Sequence, residues 1–322
     1  MSIKDELETS ALTLASSPHL HCGVTIRSIM YDVIIALLPA VAAGVYFFGT
    51  DAVLVIASSL VGAVGAETLI ARLRGMENTL RDGSAMVTGL LLGLCLPPGV
   101  PLWLPLLGGA FGIAVGKLLF GGLGMNIFNP ALVGRAFLLA SFPVAMTTWR
   151  WPAASRGWMI GFDALTTATP LDLMRMQGDA TLLRDLFIGR IAGSVGETSA
   201  LALLIGAAYL LIRGVIDWRI PVSYMATVMV LAGIIGSDPA FHLLAGGLIL
   251  GACFMATDYV SGPVTPGGKL VFGVGCGIIT MLLRRYGDYP EGVTYAILLM
   301  NATVPLIKRY TVPRVFGTKA EV

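Results

Sequence analysis

Charge is what this sequence has least of. Of its 322 residues only 12% are Asp, Glu, Lys or Arg, while 56% are hydrophobic; soluble domains carry about 25% charged residues. That supply cannot cover a large water-facing surface, so large soluble enzymes, disordered tails and basic nucleic-acid binders are excluded. Histidine is scarce too, with three residues. No Ser-His-Asp arrangement, P-loop or dinucleotide glycine motif is present, and no side chain is assigned a catalytic role. The four cysteines, Cys22, Cys95, Cys253 and Cys276, lack paired spacing; the last three lie in apolar runs and read as small packing residues. His19, His21 and Cys22 fall within four residues but have no second ligand cluster, so no metal site is assigned. The first twenty residues contain Asp5, Glu6 and Glu8 and no apolar core, unlike a cleavable signal peptide.

What the sequence has in quantity is long apolar runs. Mean hydropathy is +0.83, and runs are read at 29–48, 52–71, 84–96, 102–119, 130–147, 199–216, 222–236, 240–256, 270–283 and 293–307. The fold class expected is an all-α polytopic membrane protein with about ten transmembrane helices, its main environment the lipid bilayer. The third run is short and stops at Pro97-Pro98, as a tilted, broken or re-entrant segment would; the ninth is short as well.

Basic residues set the orientation. With the N-terminus inside, thirteen Lys and Arg collect on the cytoplasmic side, and the short outer loops hold only Arg284 and Arg285. Both termini are thus expected in the cytoplasm, with the long loop outside and Trp149, Trp151 and Trp158 anchoring its start at the membrane surface. The division is 1–28 cytoplasmic segment, 29–148 first membrane repeat, 149–198 external loop, 199–307 second membrane repeat and 308–322 cytoplasmic tail. Leu96-Pro97-Pro98-Gly99 and Val264-Thr265-Pro266-Gly267 stand 168 residues apart, and the same offset pairs Gly124 with Gly292. Five spans per half would make the two repeats inverted, an arrangement that often builds a site from broken helices.

Few ionisable residues enter the runs. Glu67, Lys117, Arg135 and Asp258 do, at a cost that usually marks function; Glu67 and Lys117 could equally snorkel to the interface. Glu67 and Asp258 are candidates for ion coupling. Asn129-Pro130 places a broken helix start beside Arg135, suited to an anionic or carbonyl-rich ligand or to an Arg–carboxylate clamp between helices. In the long loop, Asp163-Ala164-Leu165-Thr166-Thr167-Ala168-Thr169-Pro170-Leu171-Asp172 packs three threonines into four positions. Thr169-Pro170-Leu171-Asp172 reads as a helix start, with Thr169 the N-cap, Pro170 the first helical residue and Asp172 the capping-box acid. A phosphate on such a hydroxyl would lie at a helix N-terminus, where backbone N–H groups and the helix dipole favour an anion.

Together these segments resemble the D subunits of the Rnf ion-translocating ferredoxin:NAD oxidoreductases and, more distantly, the B subunits of sodium-pumping NADH:quinone reductases. The resemblance covers nearly the whole chain. It rests on Ser17-Pro18-His19-Leu20-His21, Asp82–Leu90, Phe128-Asn129-Pro130-Ala131 with Gly134-Arg135-Ala136-Phe137, the Asp163–Leu171 loop and Phe254-Met255-Ala256-Thr257-Asp258. The short segment before the first span favours the Rnf member of the pair. The resemblance implies FMN joined through a phosphoester to Thr169, installed from FAD by a separate flavin transferase. Asp163, Thr166 and Ala168 match the attachment motif, and Thr167 stands where Gly is common. It also implies a second, non-covalent flavin such as riboflavin, with Asn129, Arg135, Thr257 and Asp258 as candidate lining. Iron–sulfur and further flavin-bearing subunits would be the partners, in a bacterial cytoplasmic membrane, with electron flow coupled to Na+ or H+ movement. A secondary transporter or channel with inverted repeats and no covalent cofactor is the alternative.

Overall fold

The computed structural model describes residues 25–75, 82–152, 166–177, 182–287 and 291–313. The described chain is helical apart from one short ladder. The helices are α1 (Ile26–Phe48), α2 (Thr50–Arg74), α3 (Ser84–Leu94), α4 (Trp103–Gly116), α5 (Pro130–Ser141), α6 (Pro170–Gln177) and α7 (Leu183–Ile188). They continue with α8 (Ala200–Ile212), α9 (Arg219–Ile235), α10 (Pro239–Leu244), α11 (Leu248–Leu250), α12 (Pro266–Tyr286) and α13 (Val293–Thr311). Four are long and apolar enough to cross a bilayer: α1, α2, α12, and α4 with its 3-10 extension to Phe120; α3, α5, α8 and α9 are shorter and apolar. The protein is thus a helical polytopic membrane protein. Strands β1 (Trp149–Arg150) and β2 (Thr166–Thr167) pair antiparallel, Trp149 opposite Thr167.

Helix starts are written in the sequence as a capping residue followed by proline. Asn129 caps α5 and Thr265 caps α12, each accepting a backbone N–H, with Pro130 and Pro266 in the first turn; Asp238-Pro239 opens α10 the same way. Each cap satisfies an N–H that the helix cannot, and proline there has no N–H to lose. The Thr265 cap carries α12 from 266 to 286, beyond the short run of 270–283.

Two apolar runs are divided where the sequence suggests one span each. The run at 130–147 stops at Ser141, and Pro143 opens a separate four-residue turn. The run at 240–256 is cut at Gly246 and Gly247, both with positive φ (70° and 63°), a conformation that other residues adopt at a cost. After this break α11 continues into a π-helical turn, Gly251–Met255. Such turns are frequent at functional sites.

Helix ends and loops gather around two separate cavities. One end holds the starts of α1, α3 and α5 with residues 257–259, which share a cavity. The other holds Thr169, the end of α5 and the start of α13. In the core α1 packs on α8, α2 on α4 and α9 on α12. The α2–α4 contact depends on Gly62 and Gly109. A methyl on Gly62 would strike the Leu106 carbonyl, and one on Gly109 would meet the Ser59 carbonyl at 2.5 Å. Small residues let apolar helices approach this closely where lipid competes for their faces. Gly62→Val is expected to lower stability by about 1–3 kcal/mol, the cost of overpacking, read as a lower unfolding midpoint in detergent.

Candidate functional site

Thr169 begins α6 as the sequence pattern implies. Its hydroxyl accepts the Asp172 N–H at 3.2 Å, and the Asp172 carboxylate accepts the Thr169 N–H at 3.3 Å. The same hydroxyl donates to Asp172 Oδ2 at 2.7 Å. This reciprocal box fixes Thr169, which is only 5% exposed. Beneath it Leu171 packs with Leu186, Ile191, Phe241 and Ala245, so burial as well as the cap holds the helix start in place.

The neighbouring threonines are held differently. Thr166 pairs with Arg150 through the backbone ladder, and the Thr167 hydroxyl donates to the Ala168 carbonyl at 3.0 Å. Thr169 lines a cavity of about 280 Å³, together with Arg135, Trp149, Asp172, Glu291 and Tyr295. That volume is close to the lower end of small-molecule pockets, about 300 Å³. Asp163 lies outside the described residues, as does Trp158. Trp149, expected as a membrane-surface anchor, is instead 5% exposed and forms part of the cavity wall; its pairing with β2 draws it inward. Trp151 is exposed.

Arg135 pairs with Glu291, which stands just before α13. An Arg–carboxylate clamp is the arrangement found, between α5 and the loop before α13, and it spans the two halves of the chain. Burial holds the Glu291 carboxyl above the usual carboxylate range; Arg135 opposes the rise, and Glu197 and Asp172 add to it. Sequence reasoning does not single out Glu291. Its only signal is its place beside Gly292, itself notable for its spacing.

The other sequence candidates gather at the opposite end. Asn129, Thr257 and Asp258 line a second, smaller space of about 90 Å³ with Lys117, Thr88 and Asn126. Asn129 Nδ2 donates to the Met255 carbonyl at 3.2 Å, which ties the α5 start to the π-helical turn. The Asp258 carboxylate accepts from Ser261 Oγ at 2.7 Å. Arg135 is not part of this group, because more than one helical turn separates it from Asn129 and it faces the Thr169 cavity. Glu67 and Lys117 do not snorkel. They pair with each other at 2.7 Å and are 0% and 1% exposed, and Lys117 Nζ also donates to Ser84 Oγ at 2.6 Å.

Arg284 accounts for half of the outer-loop exception in the charge pattern. It is buried, donating to the His242 carbonyl at 2.6 Å and the Ala245 carbonyl at 2.8 Å. It caps the end of α10 and braces the glycine break through its two terminal nitrogens, while its Nε has no hydrogen-bond partner among the described residues.

Relatives match this chain over nearly its full length. A profile described as the NQR2, RnfD, RnfE family matches residues 13–317. The D subunit of the proton-translocating ferredoxin:NAD(+) oxidoreductase complex of Clostridium ljungdahlii is 45% identical over 331 residues, covering 98% of each chain. Its counterpart in the Na(+)-translocating ferredoxin:NAD(+) oxidoreductase complex of Acetobacterium woodii is 47% identical over 310 residues, covering 95% of each chain. In Yersinia pseudotuberculosis the D subunit of an ion-translocating oxidoreductase complex is 40% identical, covering 96% of this chain and 99% of its own. With near full-length matches to three D subunits and a profile over most of its length, the chain belongs to the NQR2, RnfD, RnfE family, among its D subunits.

Proposed function

We propose that this chain is the membrane subunit of a redox-driven ion pump of the ferredoxin:NAD+ oxidoreductase type, carrying FMN on Thr169 and passing electrons across the membrane as Na+ or H+ moves. The observation that carries this reading is the placement of Thr169: a capped helix start that lines a cavity walled by Trp149, Tyr295 and Arg135. The residues fit such a group. The α6 N-terminus favours a phosphate, aromatic and aliphatic walls suit a flat ring, and the Arg135 cation lies on the same cavity. When bound, FMN supplies reversible electron uptake that no side chain of this chain offers. The protein's own part is to hold the attachment point rigid, exclude water with the apolar walls and hold the Arg135 guanidinium, paired with Glu291, on the same cavity.

Ten membrane segments in two inverted repeats are part of this proposal. The segments are α1 to α5 and α8, α9, α11 with its π-helical turn, α12 and α13. In support, packing partners recur: α2 on α4 and α9 on α12, α4 on α5 and α12 on α13, with α1 against α8 and α5 against α13 across the halves. On this reading the start of α4 at Trp103 corresponds to that of α12 at Pro266, and Pro130 to Val293. Both pairs are 163 residues apart, close to the 168-residue offset of the proline-glycine turns. On this symmetry the Thr169 cavity beside the α13 start and the Asn129 cavity beside the α5 start are counterparts at opposite membrane faces. We place Thr169 on the outer face of a bacterial cytoplasmic membrane and both termini inside. The partners are the iron–sulfur and other flavin-bearing subunits, and a flavin transferase matures the chain. For a second flavin, Asn129, Thr257 and Asp258 offer polar contacts, but 90 Å³ does not hold a tricyclic ring; its walls would have to part.

The test is co-expression with a flavin transferase that uses FAD, followed by a denaturing gel under ultraviolet light. Fluorescence that stays with the denatured chain is expected. A colourless chain, in a host that labels a known acceptor, contradicts the proposal. Ion coupling through Glu67 and Asp258 is tested by neutralising both in reconstituted complex; coupled transport at the unaltered level removes them from the account.

A further inference from the structure

Resting on the attachment of FMN at Thr169, we infer that Asp172 is the proton acceptor for that attachment, so that the chain supplies part of the chemistry by which it is modified. A threonine hydroxyl is a weak nucleophile at neutral pH and needs a base within hydrogen-bond reach. The Thr169 hydroxyl has one: its proton is donated to Asp172 Oδ2 at 2.7 Å, while the Asp172 N–H occupies one of the oxygen's lone pairs from 3.2 Å. The remaining lone pair is left for attack. Both residues line the 280 Å³ cavity, so the base and the residue it serves stand beside space that a phosphate can enter. The neighbouring Thr167 has a different arrangement, since its hydroxyl donates to the Ala168 carbonyl, which cannot take a proton. The Thr169–Asp172 pair therefore also selects between these two threonines.

The step balances without a further reactant. Thr169 Oγ1 attacks the phosphorus of the FMN half of FAD, the new Oγ1–P bond forms, and the pyrophosphate P–O bond breaks with AMP as the leaving group. The hydroxyl proton passes to Asp172. No electrons are transferred. A carboxylate left ionised would repel the new phosphodiester, whereas the protonated Asp172 can donate a hydrogen bond to it. The same residue thus serves the reaction and removes the charge conflict in its product.

A capping residue with no chemical role makes a different prediction from a proton acceptor. Asp172→Asn keeps an oxygen to accept the Thr169 N–H and hydroxyl but is not basic, and Asp172→Glu keeps the basicity. The full chain, purified in detergent without flavin, is incubated with FAD, Mg2+ and a flavin transferase, and covalent fluorescence is followed in time. Asp172→Asn is expected to label at least tenfold more slowly than the unaltered chain, with half-saturating FAD unchanged and with its unfolding midpoint preserved. Asp172→Glu is expected to recover much of the rate. Labelling of Asp172→Asn at the unaltered rate overturns the inference and leaves attachment at Thr169 standing. Absence of labelling in the unaltered chain, with the transferase active on another acceptor, overturns both.

Discussion

Thr169→Asn is expected to abolish covalent flavin and, in the assembled complex, to reduce electron transfer from ferredoxin to NAD+ at least tenfold, while the chain still folds and assembles. The choice of asparagine follows from the double role of Thr169. Removing the cap altogether with alanine costs about 1 kcal/mol, and α6 is held further by Leu171 against Phe241 and Ala245. Thr169→Ala therefore mixes a loss of attachment with a loosened helix start. Asparagine caps as well as threonine or better and has no hydroxyl to esterify. Thr169→Ser keeps both cap and hydroxyl and is expected to retain labelling. Electron transfer is measured with the purified complex, and flavin by in-gel fluorescence of the same preparation. Full activity in Thr169→Asn without bound flavin contradicts the assignment.

Lys117→Met is expected to destabilise the chain by about 3–5 kcal/mol, the cost of removing one partner of a buried ion pair. Glu67 and Lys117 are essentially inaccessible and 2.7 Å apart, and the helices that carry them are embedded in protein and lipid. Removing the lysine takes the counter-charge from the Glu67 carboxylate, which favours either its protonation or unfolding. Replacing both, Glu67→Met with Lys117→Met, removes the charges together and is expected to restore most of the loss, because apolar replacement of a complete buried pair is close to neutral. The unfolding midpoints of Lys117→Met, Glu67→Met and the double variant in one detergent give the coupling. Equal midpoints for Lys117→Met and the unaltered chain contradict a buried pair. The double variant also separates two roles for Glu67: if coupled ion transport survives in it, the pair is a structural clamp and the translocated ion binds elsewhere.

What a single sequence reveals here depends on which interactions are local. The helix start at Asn129-Pro130 and the cap at Thr169-Pro170-Leu171-Asp172 are made within four residues, so the sequence carries them whole, and the structure has both. The short third helix is visible because Pro97-Pro98 ends it. What depends on distant partners is hidden. Arg135 visibly needs an anion, but Glu291 lies 156 residues away, in a loop where a carboxylate attracts no notice. Glu67 and Lys117 each stand out at a span edge, and nothing in a single sequence pairs residues 50 apart. Asp32, buried in α1 and bonded to Tyr209 of α8 and to Arg213 just after it, escapes notice because one acidic residue in an apolar run barely alters its hydropathy. The same limit separates Arg135 from Asn129: six residues along the chain place them in different cavities at different ends.

The most direct test of the account is the mass of one peptide. Trypsin should release residues 157–175, bounded by Arg156 and Arg175, and the fragment holds Thr166, Thr167 and Thr169. From chain matured with a flavin transferase, the account predicts that this peptide carries a single FMN phosphodiester and that fragmentation places it on Thr169. A peptide of unmodified mass from fully matured complex, or FMN on Thr166 or Thr167, would contradict it.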